Sequence, residues 1–302
     1  MDRRTRWQAV IEAPDPVLAD GAMGTMLFEA GLGLGAPPET WNVERPDQIR
    51  RVHRAYLAAG ARLILTNTFG GSRFRLALHG AEGRVAEVNR AAARLARAEA
   101  DRAGDHALVA GDVGPSGGIL APLGELPAAD VVAGFAEQAA ALVAGGVDLV
   151  WIETMSALEE VQAAIEGVRR AAPGIPIVAT MSFDTHGHTM MGVSPEQAVT
   201  TLTGWGAAAV GANCGLGPDE MIAVVEKMRR AAPGAVLVAK PNVGLPELVD
   251  DRAVYAGDPA TLAAYARRVR TAGARIIGAC CGSTPAHLAA MADALGLRAA
   301  TG

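Results

Sequence analysis

What the chain lacks narrows the field first. Among 302 residues only three are cysteine, and Phe, Trp and Tyr together make up 4%. So few thiols, odd in number, exclude a disulfide framework as the source of stability. Basic charge is not in excess either. Against 32 Asp and Glu stand 27 Lys and Arg, a formal net charge of −5, so there is no electrostatic footprint for nucleic acid. No apolar run approaches the ~20 residues that cross a bilayer, and no membrane association is expected. The basic start Met1–Trp7 leads into Glu12, Pro14 and Asp15 rather than an apolar signal core, so a cytoplasmic protein with reduced thiols is expected. A Walker loop, a dinucleotide fingerprint in strand–helix context and a Gly-x-Ser-x-Gly elbow are all missing. So is any Ser-, Pro- or Gly-rich linker, and one domain over 1–302 is expected.

What is present is a repeated alternation. Half of the residues are hydrophobic, mostly Ala, Val and Leu. Short apolar runs are expected as strands at Pro16–Ala22, Ala61–Phe69, Ala107–Val113, Asp148–Met155, Pro176–Phe183, Ala207–Cys214, Ala235–Asn242 and Ala274–Cys281. Helical periodicity marks Pro46–Ala59, Arg84–Ala103, Ala128–Ala144, Ala157–Ala171, Pro218–Ala231, Pro259–Ala272 and Pro285–Leu295, several with Pro near the start and Gly just past the end. The strand runs are apolar throughout rather than alternating, as parallel strands buried on both faces are. Eight such units over this length predict an α/β protein, a single (β/α)8 TIM barrel. The irregular stretches Gly31–Glu44, Gly114–Pro127 and Asn242–Asp258 are then expected to decorate its mouth.

Active sites of this fold lie at the carboxyl ends of the strands, and the unusual polar residues gather there. They are Asp20-Gly21, Asn67, Asp112, Glu153, Asp184, Cys214, Asn242 and Cys280-Cys281. For Asp112 and Asp184 a cap or turn is the better explanation. Glu153 is different: flanked by Trp151, Ile152 and Met155, its carboxylate is semi-buried and needs a cationic partner. Asp184-Thr185-His186 opens like a histidine-bearing corrinoid-binding signature, but Thr189 stands where that signature has glycine. With His186 and His188 it reads as a solvated loop.

The cysteines carry the most information. Cys280-Cys281 lies in Ile-Gly-Ala-Cys-Cys-Gly-Ser-Thr-Pro and Cys214 in Val-Gly-Ala-Asn-Cys-Gly. Both frames are an apolar run, then thiol, then glycine, the end of a buried strand entering a loop. A buried cysteine can be a plain small hydrophobe, yet all three fall in two matching strand ends. Three thiols so placed can converge on one tetrahedral Zn2+ and leave its fourth position for substrate.

With these frames in place the chain resembles the zinc-dependent homocysteine S-methyltransferases along nearly its whole length. The matching segments are Leu-Ala-Asp-Gly-Ala-Met-Gly-Thr at 18–25, Thr-Asn-Thr-Phe-Gly-Gly at 66–71, Gly-Asp-Val-Gly-Pro at 111–115, Glu-Thr-Met at 153–155, Ala-Asn-Cys-Gly at 212–215, Lys-Pro-Asn-Val-Gly-Leu-Pro at 240–246 and Gly-Ala-Cys-Cys-Gly-Ser-Thr-Pro at 278–285. The resemblance implies methionine synthesis from homocysteine and a small methyl donor. It also implies Cys214, Cys280 and Cys281 as zinc ligands, with Asn242 able to take the fourth position before substrate arrives. Glu153 and the turn Asp20, Gly21, Ala22 correspond to the grip on the amino acid end of homocysteine, and Asn67 belongs to the same substrate site. Segments 66–71 and 241–246 are most similar to the homocysteine module of cobalamin-dependent methionine synthase, which implies a corrinoid protein as one possible partner. Relatives that stand alone take methyl from betaine or another onium donor, best held by aromatic faces, and Trp41 and Phe69 are the expected walls. Gly70 replaces the tyrosine that follows the phenylalanine in the animal betaine enzymes. A zinc-binding accessory or carrier subunit is the rival from another class, and a closed four-ligand site would mark it.

Overall fold

The computed structural model describes residues 2–104, 107–249, 252–255 and 257–297. Eight parallel strands form one sheet: β1 (Val17–Leu18), β2 (Leu63–Leu65), β3 (Leu108–Val113), β4 (Leu149–Met155), β5 (Ile177–Met181), β6 (Ala209–Cys214), β7 (Leu237–Pro241) and, last in the chain, β10 (Ala274–Ile277). Their order is β1-β10-β7-β6-β5-β4-β3-β2. A parallel bridge between Ala19 and Leu63 joins the two ends, with Arg62 N donating to Leu18 O at 2.7 Å and Asp20 N to Leu63 O at 2.9 Å. The sheet is thereby a closed (β/α)8 barrel, as the alternation predicts, and closure leaves no edge strand.

Two layers of core follow from the pleat. Val17, Ala19, Leu63, Leu65, Leu108, Ala110, Leu149, Trp151, Val178, Ala209, Val238 and Ile276 fill the interior. A larger cluster packs the outer strand faces against the helices. The interior is plugged from below by an N-terminal helix the sequence reading did not include, Arg3–Glu12, whose Trp7 is 6% exposed and belongs to the interior cluster. The helix Pro195–Gly204 was also absent from the expected set, although Ser194 and Gln197 form a capping box at its start. The helix Ala128–Gly145 is long and apolar enough to cross a membrane by length and composition alone, but half of it is buried within the barrel shell.

Two of the expected irregular stretches carry structure. Within Asn242–Asp258, β8 (Pro246–Val249) pairs antiparallel with β9 (Arg252–Tyr255). Within Gly31–Glu44, a 3-10 turn Pro38–Thr40 runs into the short helix Trp41–Glu44. The outer strands are shorter than their apolar runs because the chain leaves the ladder to form mouth loops: β10 stops at Ile277 and β1 at Leu18.

Because Trp7 is the main aromatic filling the barrel floor, Trp7→Ala is expected to cost about 3–5 kcal/mol. Urea unfolding measures this, and metal content, set at the opposite end, is expected to stay unchanged.

Candidate active site

The strand pleat decides which side chains reach the mouth, since inward positions repeat every second residue. Trp151 points inward in β4, and so therefore does Glu153 one layer higher. The same step leads from Ala110 to Asp112 in β3, from Val178 to Thr180 in β5 and from Val238 to Lys240 in β7. In β6 it leads from Ala209 through Gly211 to Asn213. All five polar residues are buried.

One ion pair organises this layer. Lys240 Nζ lies 3.1 Å from Asp20 Oδ1, with both side chains at most 4% exposed, and 5.3 Å above the Trp151 ring. Asp20 Oδ2 accepts from Leu65 N at 2.7 Å. Burial works against the Lys240 charge, but Asp20 and Glu153 outweigh it and hold the ammonium. Burial also pushes the Asp20 carboxyl up, against the pull of Lys240. Among the described residues Glu153 and Asp112 have no such close partner: Glu153 Oε2 and Asp112 Oδ1 are buried without a hydrogen bond. Burial raises both, and for Asp112 the neighbouring Glu153 adds to the rise. The site therefore holds a buried pair of carboxyl groups short of a cation.

The cysteines converge beside this layer. Cys214 Sγ is 2.9 Å from Cys280 Sγ, and Cys280 Sγ is 3.9 Å from Cys281 Sγ. All three sulfurs lie within 4.8 Å of one another, and all three residues are free thiols. Cys281 is pulled down by hydrogen bonds from Cys214 and Cys280, while Cys214 is pushed up by its contacts with those two. Full ionisation needs a cation among the sulfurs, and the donor set is one for a thiophilic divalent metal.

The other expected site residues sort differently. Gly21 is required by packing: a Cβ there would meet Ser283 Oγ at 2.4 Å. Ala22 N donates to Ser283 Oγ at 2.9 Å, so the Asp20–Ala22 turn is fastened to the Cys280-Cys281 loop. Asn242 bridges the two cysteine loops, its Nδ2 donating to Gly215 O at 2.8 Å and its Oδ1 accepting from Cys281 N at 3.1 Å. Asn67 directs its amide hydrogens to Pro38 O and Asn42 Oδ1 at 2.8 and 3.1 Å, bracing the loop after β1. Phe69 is partly exposed over Gly114. Trp41 corrects the expectation of an exposed cage wall. It is 7% exposed within the outer core, because the short helix it starts turns the indole inward beneath Arg45.

Sequence reasoning passed over Lys240, Thr180 and Asn213 and left Asp112 open as a turn residue. The signal was the period-two step from inward apolar residues. Tyr255 was missed as well: carried by β9, it packs on Gly282 beside the Cys281 loop. Asp184 is an exposed loop residue bonded to Thr185, in line with the turn reading.

Residues 17–295 match the family model described as Homocysteine S-methyltransferase. The chain belongs to the homocysteine S-methyltransferase family. It is 34% identical over 293 residues to the methionine synthases of Mycobacterium tuberculosis and Mycobacterium leprae, a match covering 92% of this chain and 24% of each relative. The chain thus spans about a quarter of the length of those relatives. Among solved structures, the homocysteine methyltransferase MmuM of Escherichia coli in its metallated form superposes with a TM-score of 0.80 at 27% identity, covering 95% of this chain and 98% of that one. Its oxidised form gives 0.79 at 29%. In this member of the family the mouth layer depends on Lys240. Lys240→Met leaves Asp20 buried and unpaired, at an expected cost of about 3–5 kcal/mol. The double variant Asp20→Asn/Lys240→Met is expected to recover part of that loss in urea unfolding.

Proposed function

We propose that the protein is a zinc-dependent homocysteine S-methyltransferase that forms methionine. The observation carrying this reading is the joint placement of three convergent free thiols and two unpartnered buried carboxyl groups at one barrel mouth. Cys214, Cys280 and Cys281 would hold the zinc, which supplies deprotonation of a bound thiol and keeps it nucleophilic. The tie that Asn242 makes between the two loops keeps the ligands together. Glu153 takes the ammonium of homocysteine, with Asp112 beside it, and fixes the sulfur in line with the methyl donor. A zinc with three protein ligands and a substrate position is of the catalytic type rather than the closed structural type.

For the donor we infer betaine or a similar onium compound, with Phe69 as an aromatic face. Trp41 is assigned no part in that cage. A second reading, a methylcorrinoid donor, is favoured by a separate observation. Of the ten large apolar side chains exposed among the described residues, Phe69, Ile119, Leu123, Met190 and Met191 lie on segments between a barrel strand and its following helix, and Leu245 follows β7. That is the face a protein-borne methyl group would approach. Turnover assayed in parallel with betaine, S-methylmethionine and methylcobalamin decides the donor. Methionine formed from methylcobalamin alone would make the chain the homocysteine half of a corrinoid-dependent methionine synthase.

Three further outcomes follow from the site. One zinc per chain is expected, lost in Cys280→Ala, and full zinc in that variant contradicts the ligand set. Glu153→Gln is expected to keep zinc but weaken homocysteine binding by about 2–5 kcal/mol. The sign with pH is fixed by the raised Glu153 carboxyl. Its neutral form suits burial, a stabilisation present below the ordinary carboxylate range and lost as pH rises to about 8. An arriving ammonium reverses that preference. Homocysteine binding near pH 7 should therefore release more than one proton, one from the thiol and the rest from the carboxyl pocket, falling to about one in Glu153→Gln. Calorimetry in buffers of different ionisation enthalpy counts them.

A further inference from the structure

Glu153 and Cys214 sit on strands separated by β5, and one side chain connects them. Asn213, fully buried at the end of β6, reaches across β5 to β4. Its Oδ1 accepts from Thr154 N at 2.8 Å and from Thr180 Oγ1 at 2.7 Å, and its Nδ2 donates to Thr154 Oγ1 at 2.7 Å. Thr154 lies at the irregularity in the β4–β5 register between Ile152 and Met155, with φ of 61°. A β-branched residue there is costly and persists only where its surroundings over-determine it. Cys214, the residue after Asn213, is itself left-handed at φ 57°. Bulges of this kind re-aim side chains next to active sites.

We propose that Asn213 is a positioning residue, whose one amide fixes the reversed backbone of Thr154, thereby aims Glu153 into the mouth, and sets its spacing from Cys214. It touches neither substrate nor metal. Without the amide, the Thr154 N–H loses its buried acceptor and the threonine returns to extended geometry, turning the Glu153 peptide. The inference rests on the homocysteine reading for the role of Glu153 and on the fold alone for the geometry of Cys214.

The test uses the full chain loaded with cobalt(II) in place of zinc, in wild type, Asn213→Ala, Thr154→Gly and the double variant. In Asn213→Ala the homocysteine dissociation constant is expected to rise at least ten-fold, the metal to remain bound, and the cobalt absorption bands to shift as Cys214 moves. Thr154→Gly alone should bind within about three-fold of wild type, because glycine adopts the left-handed geometry without a clamp. The same change should rescue Asn213→Ala most of the way. A merely structural asparagine would lower the melting temperature without moving the constant or the bands, and glycine would not rescue it. Should Asn213→Ala fail to fold, Thr180→Val, which removes one bond to the amide, is expected to raise the constant about two- to five-fold. Unchanged binding and unchanged bands in the folded variants overturn the proposal. Absence of homocysteine binding in wild type, with shifted bands in Asn213→Ala, would overturn the substrate reading and leave the positioning role standing.

Discussion

The mouth of this barrel depends on a buried lysine that has to remain charged. Lys240, near the end of β7, is enclosed by Trp151 below and Asp20 beside it. A desolvated ammonium survives only when paired. Its partner Asp20 also takes the Leu65 N–H, so one carboxylate ties the chain after β1 to the ends of β2 and β7. The Asp20–Ala22 turn is then fastened through Ser283 to the loop of Cys280 and Cys281. The thiol trio is therefore held by a chain of contacts that begins at the ion pair, not by the cysteines alone.

On the proposed function, the same electrostatics suit a zwitterion bearing sulfur. One lysine among Asp20, Asp112 and Glu153 leaves the layer short of positive charge, and burial pushes the carboxyl groups of Asp112 and Glu153 up. A ligand that brings its own ammonium converts that deficit into a pairing. The three sulfurs lie within 4.8 Å of one another beside this layer, so thiols suited to a divalent metal and carboxyl groups suited to an ammonium stand at the same end of the barrel. On that reading the two act together: the metal would make the sulfur nucleophilic and the carboxylates would hold the amino acid end in place.

The barrel was legible because parallel strands buried on both faces read as unbroken apolar runs, and because Pro and Gly mark the helix ends. The thiol convergence was legible because both cysteine frames end a strand in the same way. Lys240, Asn213 and Thr180 were harder to find. Their importance lies in which side of the pleat they occupy, and in runs apolar on both faces no alternation shows the side. Trp41 was misplaced for a related reason: a Gly- and Pro-rich stretch looks like an exposed loop until the 3-10 turn at Pro38–Thr40 rotates the indole into the core. The N-terminal helix escaped because its face is barely amphipathic, with Trp7 as its one buried residue.

The central claim is that the three cysteines form an open metal site that homocysteine sulfur completes. Zinc-edge X-ray absorption on the purified protein tests it directly. The account predicts a shell of three sulfurs at about 2.3 Å, rising to four when homocysteine is added. A sulfur count unchanged by homocysteine, or a four-sulfur shell before it is added, would contradict the account.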